Sequence, residues 1–496
     1  MIFSDDIYYF ACRLTVSPMG RADSERTIIS FTTAEALNVS NIWNLWLPKY
    51  IPANVYERLN DSEVAKFRLK LLFAIVAPIP RAVQYVVGEA QKYLQTPRDS
   101  DILEVIDSKA LESFYSKSYD ELERKYNSIE RCTVLPKHIC AILLEEKICI
   151  DDDISEMIKN SFLVNSLKNI AKNTRIVPKT SVFSVKLFSK DKEEKYWRSI
   201  RLAIEKLEEL FSEEPNQVKL GQFLEAAVRG LINARLYVLM KLSAEAKSQN
   251  IGIVTVTISQ LLLLDVNNIN GASEELYTRL SEDINVPPIK LFLSKLVLPD
   301  SYVSMKRFLS DANMPPSISG EIFELFPVPD KECFDYGLLF SSGIDGKPFA
   351  IFMDAKSGRQ FLSENTVTRI TSEANLSESV DVNTAPLLHK ISDLPKNGKQ
   401  ALHLLQIASE AKKLDPASVR KGSLVEALRE DNYLYIYVNT TQSAPSFAVD
   451  DHVMQVGEAD SKRLLSFLLD SYRLVRSAST LAQALDAKER NAKRSE

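Results

Sequence analysis

Cysteine and histidine are scarce in this sequence of 496 residues. It has four histidines and five cysteines, the latter at Cys12, Cys132, Cys140, Cys149 and Cys333. An odd number of scattered cysteines without a Cys-x-x-Cys pair argues against a disulfide framework and against a zinc site. No two histidines have the spacing of metal ligands. We therefore expect a reducing compartment and no histidine-rich metal site.

Long uncharged apolar runs are also absent. None reaches the roughly 20 residues that a membrane-spanning helix needs. Asp5 and Asp6 interrupt the segment where the apolar part of a signal peptide would begin. These absences predict that the protein has no membrane partner and is located in the nucleus or the cytoplasm.

An excess of positive charge is missing as well, since the net charge is −5. The chain as a whole therefore does not attract nucleic acid, and any site for a polyanion has to be a local basic groove. Only 14 residues are glycine and 45% are hydrophobic, so the chain is long and apolar enough for a large core. This composition is ordinary for a soluble globular protein of two to four domains.

The most informative segment that the sequence does contain is residues 334–357. Apolar runs at 334–340 and 349–353 flank a turn that includes Asp-Gly. Asp-Gly between two apolar runs is one of the strongest local signals for a β-hairpin.

Three polar residues lie at the open end of this hairpin. Asp354 and Lys356 are two apart on one strand, so they share a face. A turn centred on residues 344–345 places Asp335 opposite Asp354, and a turn centred on 345–346 places it opposite Lys356. Both registers keep the three residues on one face, whereas a slip of one residue would separate them.

This arrangement is typical of a metal site. Opposed residues have Cβ atoms about 4.5–5.5 Å apart, so two carboxylates there repel unless a cation lies between them. Mg²⁺ suits such a pair, and Mn²⁺ is the alternative ion. A neighbouring lysine can position a water and offset phosphoryl charge. The other interpretation is an ordinary hairpin with an Asp335–Lys356 ion pair on its surface.

A third carboxylate is needed, and Glu225 is the candidate. It lies in a predicted helix after Pro215, where the apolar positions recur at helical spacing. They are Leu220, Leu224, Val228 and Leu231. A carboxylate in such a helix is costly unless it is solvated or partnered. Glu225 therefore either faces water or completes the metal site.

Residues 131–192 predict helix, helix and strand pair, which describes a winged-helix module. Asp153 and Glu156 fit the N-cap and third position of the second helix. Residues 176–188 are the predicted strand pair, or wing. The acidic run 151–153 fits either a metal site or a solvated helix start, and the helix start is the favoured interpretation.

Arg81 is a further candidate residue, in a helix that Pro80 begins. Cations are disfavoured in the first turn of a helix, so this arginine is expected to have a partner, either a phosphate or a carboxylate.

Taken in order, residues 218–441 give a helix with Glu, a strand with Asp, a strand with Asp-x-Lys, a helix and a strand. This order resembles the PD-(D/E)XK, or restriction-endonuclease-like, core. The resemblance implies a Mg²⁺-dependent nuclease that cleaves DNA phosphodiesters, with three carboxylates on the metal. Its site would consist of Glu225, Asp335, Asp354, Lys356 and, on the following helix, Gln400 or Lys399.

The wider layout resembles the Crinkler effectors and the retrotransposon hot spot proteins, which join an ATPase domain to such a nuclease. Residues 77–90 resemble the late "G-x-PR" helix of that ATPase, which makes Arg81 a sensor-type arginine. Residues 221–231 resemble the motif ahead of the nuclease. There is no GxxxxGK[ST] phosphate-binding loop, so we expect an N-terminally shortened member without ATPase activity.

The sequence therefore predicts a mixed, helix-rich α/β protein in four parts. Residues 1–130 are the end of an ATPase-like helical region, 131–192 a winged-helix-like module, 193–484 the nuclease-like domain and 485–496 a disordered tail. Three hypotheses follow. The chain is a DNA endonuclease, with DNA favoured over RNA, or a nuclease-like module that binds nucleic acid or proteins without cutting. The third is a regulatory fragment that assembles with an ATPase-bearing paralogue or a second copy.

Overall fold

The computed structural model shows a mixed α/β protein that is rich in helix, as the sequence predicts. It describes residues 38–94, 108–128, 134–159, 162–163, 175–212, 217–248, 255–286, 290–296, 309–310, 313, 322–327, 334–342, 346–356, 407–440, 446–448 and 451–476. The chain forms two compact units, residues 1–234 with 465–496 and residues 235–464. The predicted tail at 485–496 lies outside the described residues.

The described part of the first unit is almost entirely helical. Its helices are α1 (Val39–Asn41), α2 (Leu47–Tyr50) after the π-helical Ile42–Trp46, α3 (Ala53–Asp61), α4 (Glu63–Val76), α5 (Pro80–Leu94), α6 (Ser108–Asn127), α7 (Pro136–Leu144), α8 (Asp152–Lys159), α9 (Val182–Ser189), α10 (Lys195–Ser212) and α11 (Gln217–Ser248). Strands β1 (Ile148–Cys149) and β2 (Arg175–Ile176) form a small antiparallel sheet. Helix α11 continues into the second unit.

Local signals set the bounds of several of these helices. Helix α5 begins at Pro80 and buries the apolar face that its spacing predicts, namely Val83, Val86, Val87, Ala90 and Leu94. Helices α10 and α11 lie on either side of Pro215, as predicted. They approach closely at Gly230, where an added Cβ would lie 2.7 Å from the backbone oxygen of Ser199. Glycine is therefore the residue that permits this contact.

The predicted strand pair at 176–188 is wrong for most of its length, because residues 182–189 form helix α9. Ser181 caps this helix, and its Oγ accepts a hydrogen bond from the N–H of Ser184 at 3.1 Å. Most of α9 is buried, so its run of valine and phenylalanine packs on more than one side. Burial and the cap outweigh the strand preference of these residues. The winged-helix assignment stays a prediction.

The described part of the second unit is built around a mixed nine-stranded sheet. Its strands are β3 (Thr255–Thr257), β4 (Asp283–Asn285), β5 (Lys290–Leu296), β6 (Ile322–Pro327), β7 (Tyr336–Ser342), β8 (Lys347–Lys356), β9 (Tyr433–Asn439), β10 (Phe447–Ala448) and β11 (Val453–Val456). They run in the order β10-β11-β9-β8-β7-β4-β3, and β6 joins β7 to β5. The helices are α12 (Ile258–Leu262), α13 (Glu274–Leu280), α14 (Leu424–Arg429) and α15 (Glu458–Leu465).

The predicted hairpin forms the centre of this sheet. Strands β7 and β8 pair antiparallel, while β8 pairs parallel with β9, and β9 parallel with β11. A parallel pair needs a crossover connection, and the described parts of the β8–β9 crossover include helical residues 407–412 and α14. Both pack in a core cluster with Phe352, Tyr435 and Tyr437. Strand β9 is therefore buried, as its aromatic sequence predicts.

Within the described ranges, no helix combines the length and the apolar composition that crossing a bilayer requires.

Candidate functional site

The register of the β7–β8 hairpin decides between the two arrangements that the sequence leaves open. Tyr336 pairs with Met353 and Ser342 with Lys347. Extending the pairing by one residue brings Asp335 opposite Asp354. The register centred on residues 344–345 is thus confirmed, and the two carboxylates lie at the same end of the hairpin.

Two backbone contacts hold Asp335 beside Asp354. The N–H of Asp335 donates to the carbonyl oxygen of Met353 at 2.8 Å. Its carboxylate Oδ2 accepts a hydrogen bond from the N–H of Ala355 at 2.7 Å. These contacts involve the residues immediately before and after Asp354, so the Asp335 side chain is fixed against this part of β8. Asp335 is half-buried, and Asp354 has 0% of its surface exposed.

The polar positions continue across two further strands. Asp354 on β8 pairs with Tyr437 on β9, and Tyr437 pairs with Gln455 on β11. Residues paired directly on neighbouring strands lie about 4.7–4.9 Å apart and share a face of the sheet. Tyr437 is 1% exposed and Gln455 is 0% exposed. We call Asp335, Asp354, Tyr437 and Gln455 the polar row.

The polar row lies towards the carboxyl ends of the parallel strands of the sheet. Strands β8, β9 and β11 run in the same direction, and Asp354, Tyr437 and Gln455 lie in the second half of each. Asp335 joins them as the residue immediately before the antiparallel strand β7. In open α/β sheets, ligands bind outside the carboxyl ends of the parallel strands. The polar row therefore occupies the position where this type of sheet places its binding sites.

Burial and charge together keep Tyr437 protonated. Burial of the phenol raises its pKa most strongly, and the negative charges of Asp354 and then Asp335 raise the pKa further. The hydroxyl group is consequently an O–H donor at neutral pH. Tyr437 pairs directly with Asp354, so the two side chains are neighbours on one face of the sheet.

For the other predicted site residues, Lys356, Glu225, Gln400 and Lys399, the structure does not establish a position in the site. Lys356 is the last residue of β8 and its backbone pairs with Asn439, but its side chain lies outside the described part of the structure. Glu225 is half-buried on α11, in the first unit, and its role in the site stays a prediction. Gln400 and Lys399 lie outside the described residues.

Arg81 is the second residue of α5, as predicted, and its side chain is likewise outside the described part. The structure therefore brings together Asp335 and Asp354 among the predicted residues.

A second group of acidic residues lies in the first unit. Helix α8 begins at Asp152, and the N–H of Ile154 donates to Asp151 Oδ1 at 2.9 Å. Asp151 is therefore the N-cap, and the prediction that Asp153 has this role is wrong. Ligand atoms of His138, Asp151 and Asp153 lie within 4.8 Å of one another. We call these three residues the helix-start cluster.

Hydrogen bonds argue against a metal ion in the helix-start cluster. His138 Nδ1 accepts from the N–H of Leu135 at 3.2 Å, so a neutral ring carries its proton on Nε2, which lies 3.0 Å from Asp151 Oδ2. This nitrogen has no lone pair to offer a metal. The Lys137 ammonium already contacts the same carboxylate oxygen at 2.6 Å.

The pKa of Asp151 agrees with this interpretation. Partial burial raises it, but hydrogen bonds from Lys137, the Ile154 N–H and His138 outweigh burial and lower the pKa to about 2. The group is a capped helix start that cationic and N–H donors stabilise. This is the interpretation that the sequence favours.

Tyr437 and Gln455 of the polar row are not among the site residues that the sequence predicts. Gln455 is the polar residue inside the four-residue buried strand β11, which is a signal that the sequence does contain. Tyr437 is one of three alternating tyrosines in β9 and has no local mark that distinguishes it. The pairing of β8, β9 and β11 links segments far apart in the chain, and this pairing alone aligns them with Asp354.

Comparison of the chain with protein-family models, with curated proteins and with solved structures finds no significant match.

Proposed function

We propose that this protein is a Mg²⁺-dependent endonuclease that cleaves DNA phosphodiester bonds, with its site at the Asp335 end of the polar row. The observation that supports this most strongly is that Asp335 lies opposite Asp354 near the carboxyl end of β8, held by hydrogen bonds to Met353 and Ala355. Two adjacent carboxylates are the oxygen ligands that Mg²⁺ and Mn²⁺ prefer. The donor set therefore fits the proposed ion. Because Asp335 is the half-exposed member of the row, substrate would approach from its side.

Each residue has a distinct role in this proposal. Asp335 and Asp354 would hold the ion, and the role of Glu225 as a third carboxylate remains a prediction from the sequence. Lys356 would orient the attacking water and offset charge on the scissile phosphate. A bound divalent ion supplies a water of lowered pKa and neutralises phosphate charge. The backbone contacts of Asp335 to Met353 and Ala355 keep its carboxylate in position before any ligand arrives.

The direct test is nicking of supercoiled plasmid DNA in the presence of Mg²⁺. We expect Asp354→Ala and Lys356→Ala to lower the rate by about 10²-fold or more, the usual cost of removing one group that stabilises a transition state. Asp151→Asn is the matched control, because it removes one carboxylate charge from the helix-start cluster. We expect this variant to cut at the wild-type rate. Equal rates in all four proteins would contradict the proposal.

Two observations favour a second function, in which the same scaffold binds nucleic acid or a protein without cutting it. Asp354 is fully buried, and one oxygen of Asp335 already accepts a backbone hydrogen bond. Calorimetry with Mg²⁺ or Mn²⁺ separates the two functions. Stoichiometric binding that Asp335→Asn abolishes would argue for the nuclease, and heat signals that are the same in both proteins would argue for the binding module.

A further inference from the structure

Two neutral polar residues continue the polar row beyond the carboxylates. Tyr437 lies beside Asp354 and Gln455 lies beside Tyr437, on the same face of the sheet. Both are almost completely buried, with exposures of 1% and 0%. A hydroxyl and an amide can each donate and accept hydrogen bonds, and buried polar groups of this kind are almost always hydrogen-bonded.

We propose that Tyr437 and Gln455 are positioning residues of the metal site, and that they hold the water ligands of the ion carried by Asp335 and Asp354. This inference rests on the proposed function. Mg²⁺ keeps several waters when a protein binds it through one or two carboxylates. Those waters need hydrogen-bond partners, and a phenol and an amide offer both donors and acceptors.

The distances across the sheet suit this role. Adjacent strands are about 4.8 Å apart, so Tyr437 is one strand spacing from Asp354 and Gln455 is about 10 Å away, two spacings. These are backbone spacings, and the Tyr437 and Gln455 side chains extend from them on the face that carries Asp354. The negative charges of Asp354 and Asp335 also raise the pKa of the Tyr437 hydroxyl, after burial. Outer residues of this kind typically change metal affinity by about 10–100-fold.

Strand β9 provides a matched control. Tyr435 has the same side chain, faces the same side of the sheet and is equally buried, but it pairs with Phe352 rather than with an aspartate. It is two residues away along the strand, about 6.7 Å from Tyr437. Replacing either tyrosine with phenylalanine removes one oxygen atom and leaves the ring to pack.

The experiment is a titration of the full-length protein with Mn²⁺, followed by electron paramagnetic resonance of the free ion and by water-proton relaxation of the bound ion. We expect Tyr437→Phe to weaken Mn²⁺ binding about tenfold and to change the relaxation enhancement per bound ion. Tyr435→Phe should match the wild type in both measurements. Equal behaviour of the two variants, with tight binding in the wild type, would overturn this inference and leave the proposed function intact.

Gln455 is tested with a substitution that should strengthen Mn²⁺ binding rather than weaken it, because an apolar replacement in the core could prevent folding. Gln455→Glu keeps the shape and adds a carboxylate, so Mn²⁺ binding should tighten about tenfold if the side chain faces the metal site. Unchanged or weaker binding would remove Gln455 from the site. A wild-type protein that binds no Mn²⁺ would overturn both this inference and the proposed function.

Discussion

Two regions of this molecule gather acidic side chains, and their surroundings differ. In the helix-start cluster, Asp151 is about one-third exposed, caps helix α8 and contacts Lys137 and His138. In the polar row, Asp354 is fully buried in the central strand β8 and pairs with Tyr437. The first group surrounds its carboxylate with cationic and N–H donors. The second places carboxylates, a phenol and an amide side by side.

The difference separates an acid whose contacts cap a helix from an acid pair that we propose as a metal site. Asp151 uses both of its oxygens in local contacts, and its neighbours are close in sequence. The polar row is assembled from three strands and the residue that precedes a fourth, and its strand members lie towards the carboxyl ends of parallel strands. A list of nearby carboxylates and imidazoles would favour the helix-start cluster as a metal site, whereas its hydrogen bonds show a capped helix start.

The largest expected effect is the response of each region to metal. Mn²⁺ at 100 times its dissociation constant should raise the free energy of unfolding by about 2.7 kcal/mol in the wild type. Asp354→Asn should abolish this stabilisation, because it removes a ligand charge. Asp151→Asn should retain it. Thermal unfolding with and without Mn²⁺ measures the effect. If only Asp151→Asn lost the stabilisation by Mn²⁺, the metal would bind at the helix-start cluster and not at the polar row.

An intermediate effect is expected from the sheet that positions the polar row. Gly337 on β7 pairs with Phe352, and an added Cβ would lie 3.1 Å from Leu325 Cβ and 3.2 Å from the Ile351 oxygen. We expect Gly337→Ala to lower the free energy of unfolding by about 1.5 kcal/mol, which is typical of overpacking.

Gly88 on α5 is the control for this substitution, since nothing lies within 4 Å of its added Cβ. Alanine is the better helix former there, so Gly88→Ala should leave stability unchanged or raise it. Urea unfolding compares the two variants. A neutral Gly337→Ala would show that the sheet can adjust without cost.

The smallest effect is the pH dependence of Asp151. Its pKa is about 2 in the folded protein against a usual 3.8, so its contribution is complete above about pH 4 and is lost as pH falls towards 2. The shift corresponds to at most about 2.4 kcal/mol, and exposure to solvent reduces this to about 1 kcal/mol.

Asp151→Asn isolates this charge, because asparagine is an equally good N-cap. We expect it to be about 1 kcal/mol less stable than the wild type at pH 7 and equally stable at pH 2. Unfolding curves from pH 2 to 7 check this. A difference that stays constant over the whole range would show that the charge has no part in it.

Local sequence signals determined the central hairpin and several helix boundaries of this protein. The Asp-Gly turn between two apolar runs predicts the β7–β8 hairpin, and Pro80 and Pro215 mark helix boundaries that the structure confirms. These predictions hold because a turn sequence, a proline and the regular spacing of apolar residues each determine the conformation of the few residues around them. The same locality predicts that Asp335 and Asp354 share a face.

Tertiary structure decided the rest. Burial made a helix of residues 182–189, although their side chains favour a strand. The cap of α8 is Asp151 rather than Asp153, because the helix begins at Asp152, and Lys137 and His138 of helix α7 contact the same carboxylate. Tyr437 and Gln455 join the acidic pair through parallel pairing of β8, β9 and β11. Such pairing depends on crossover connections and on a shared core, so it cannot be predicted from any short segment of the sequence.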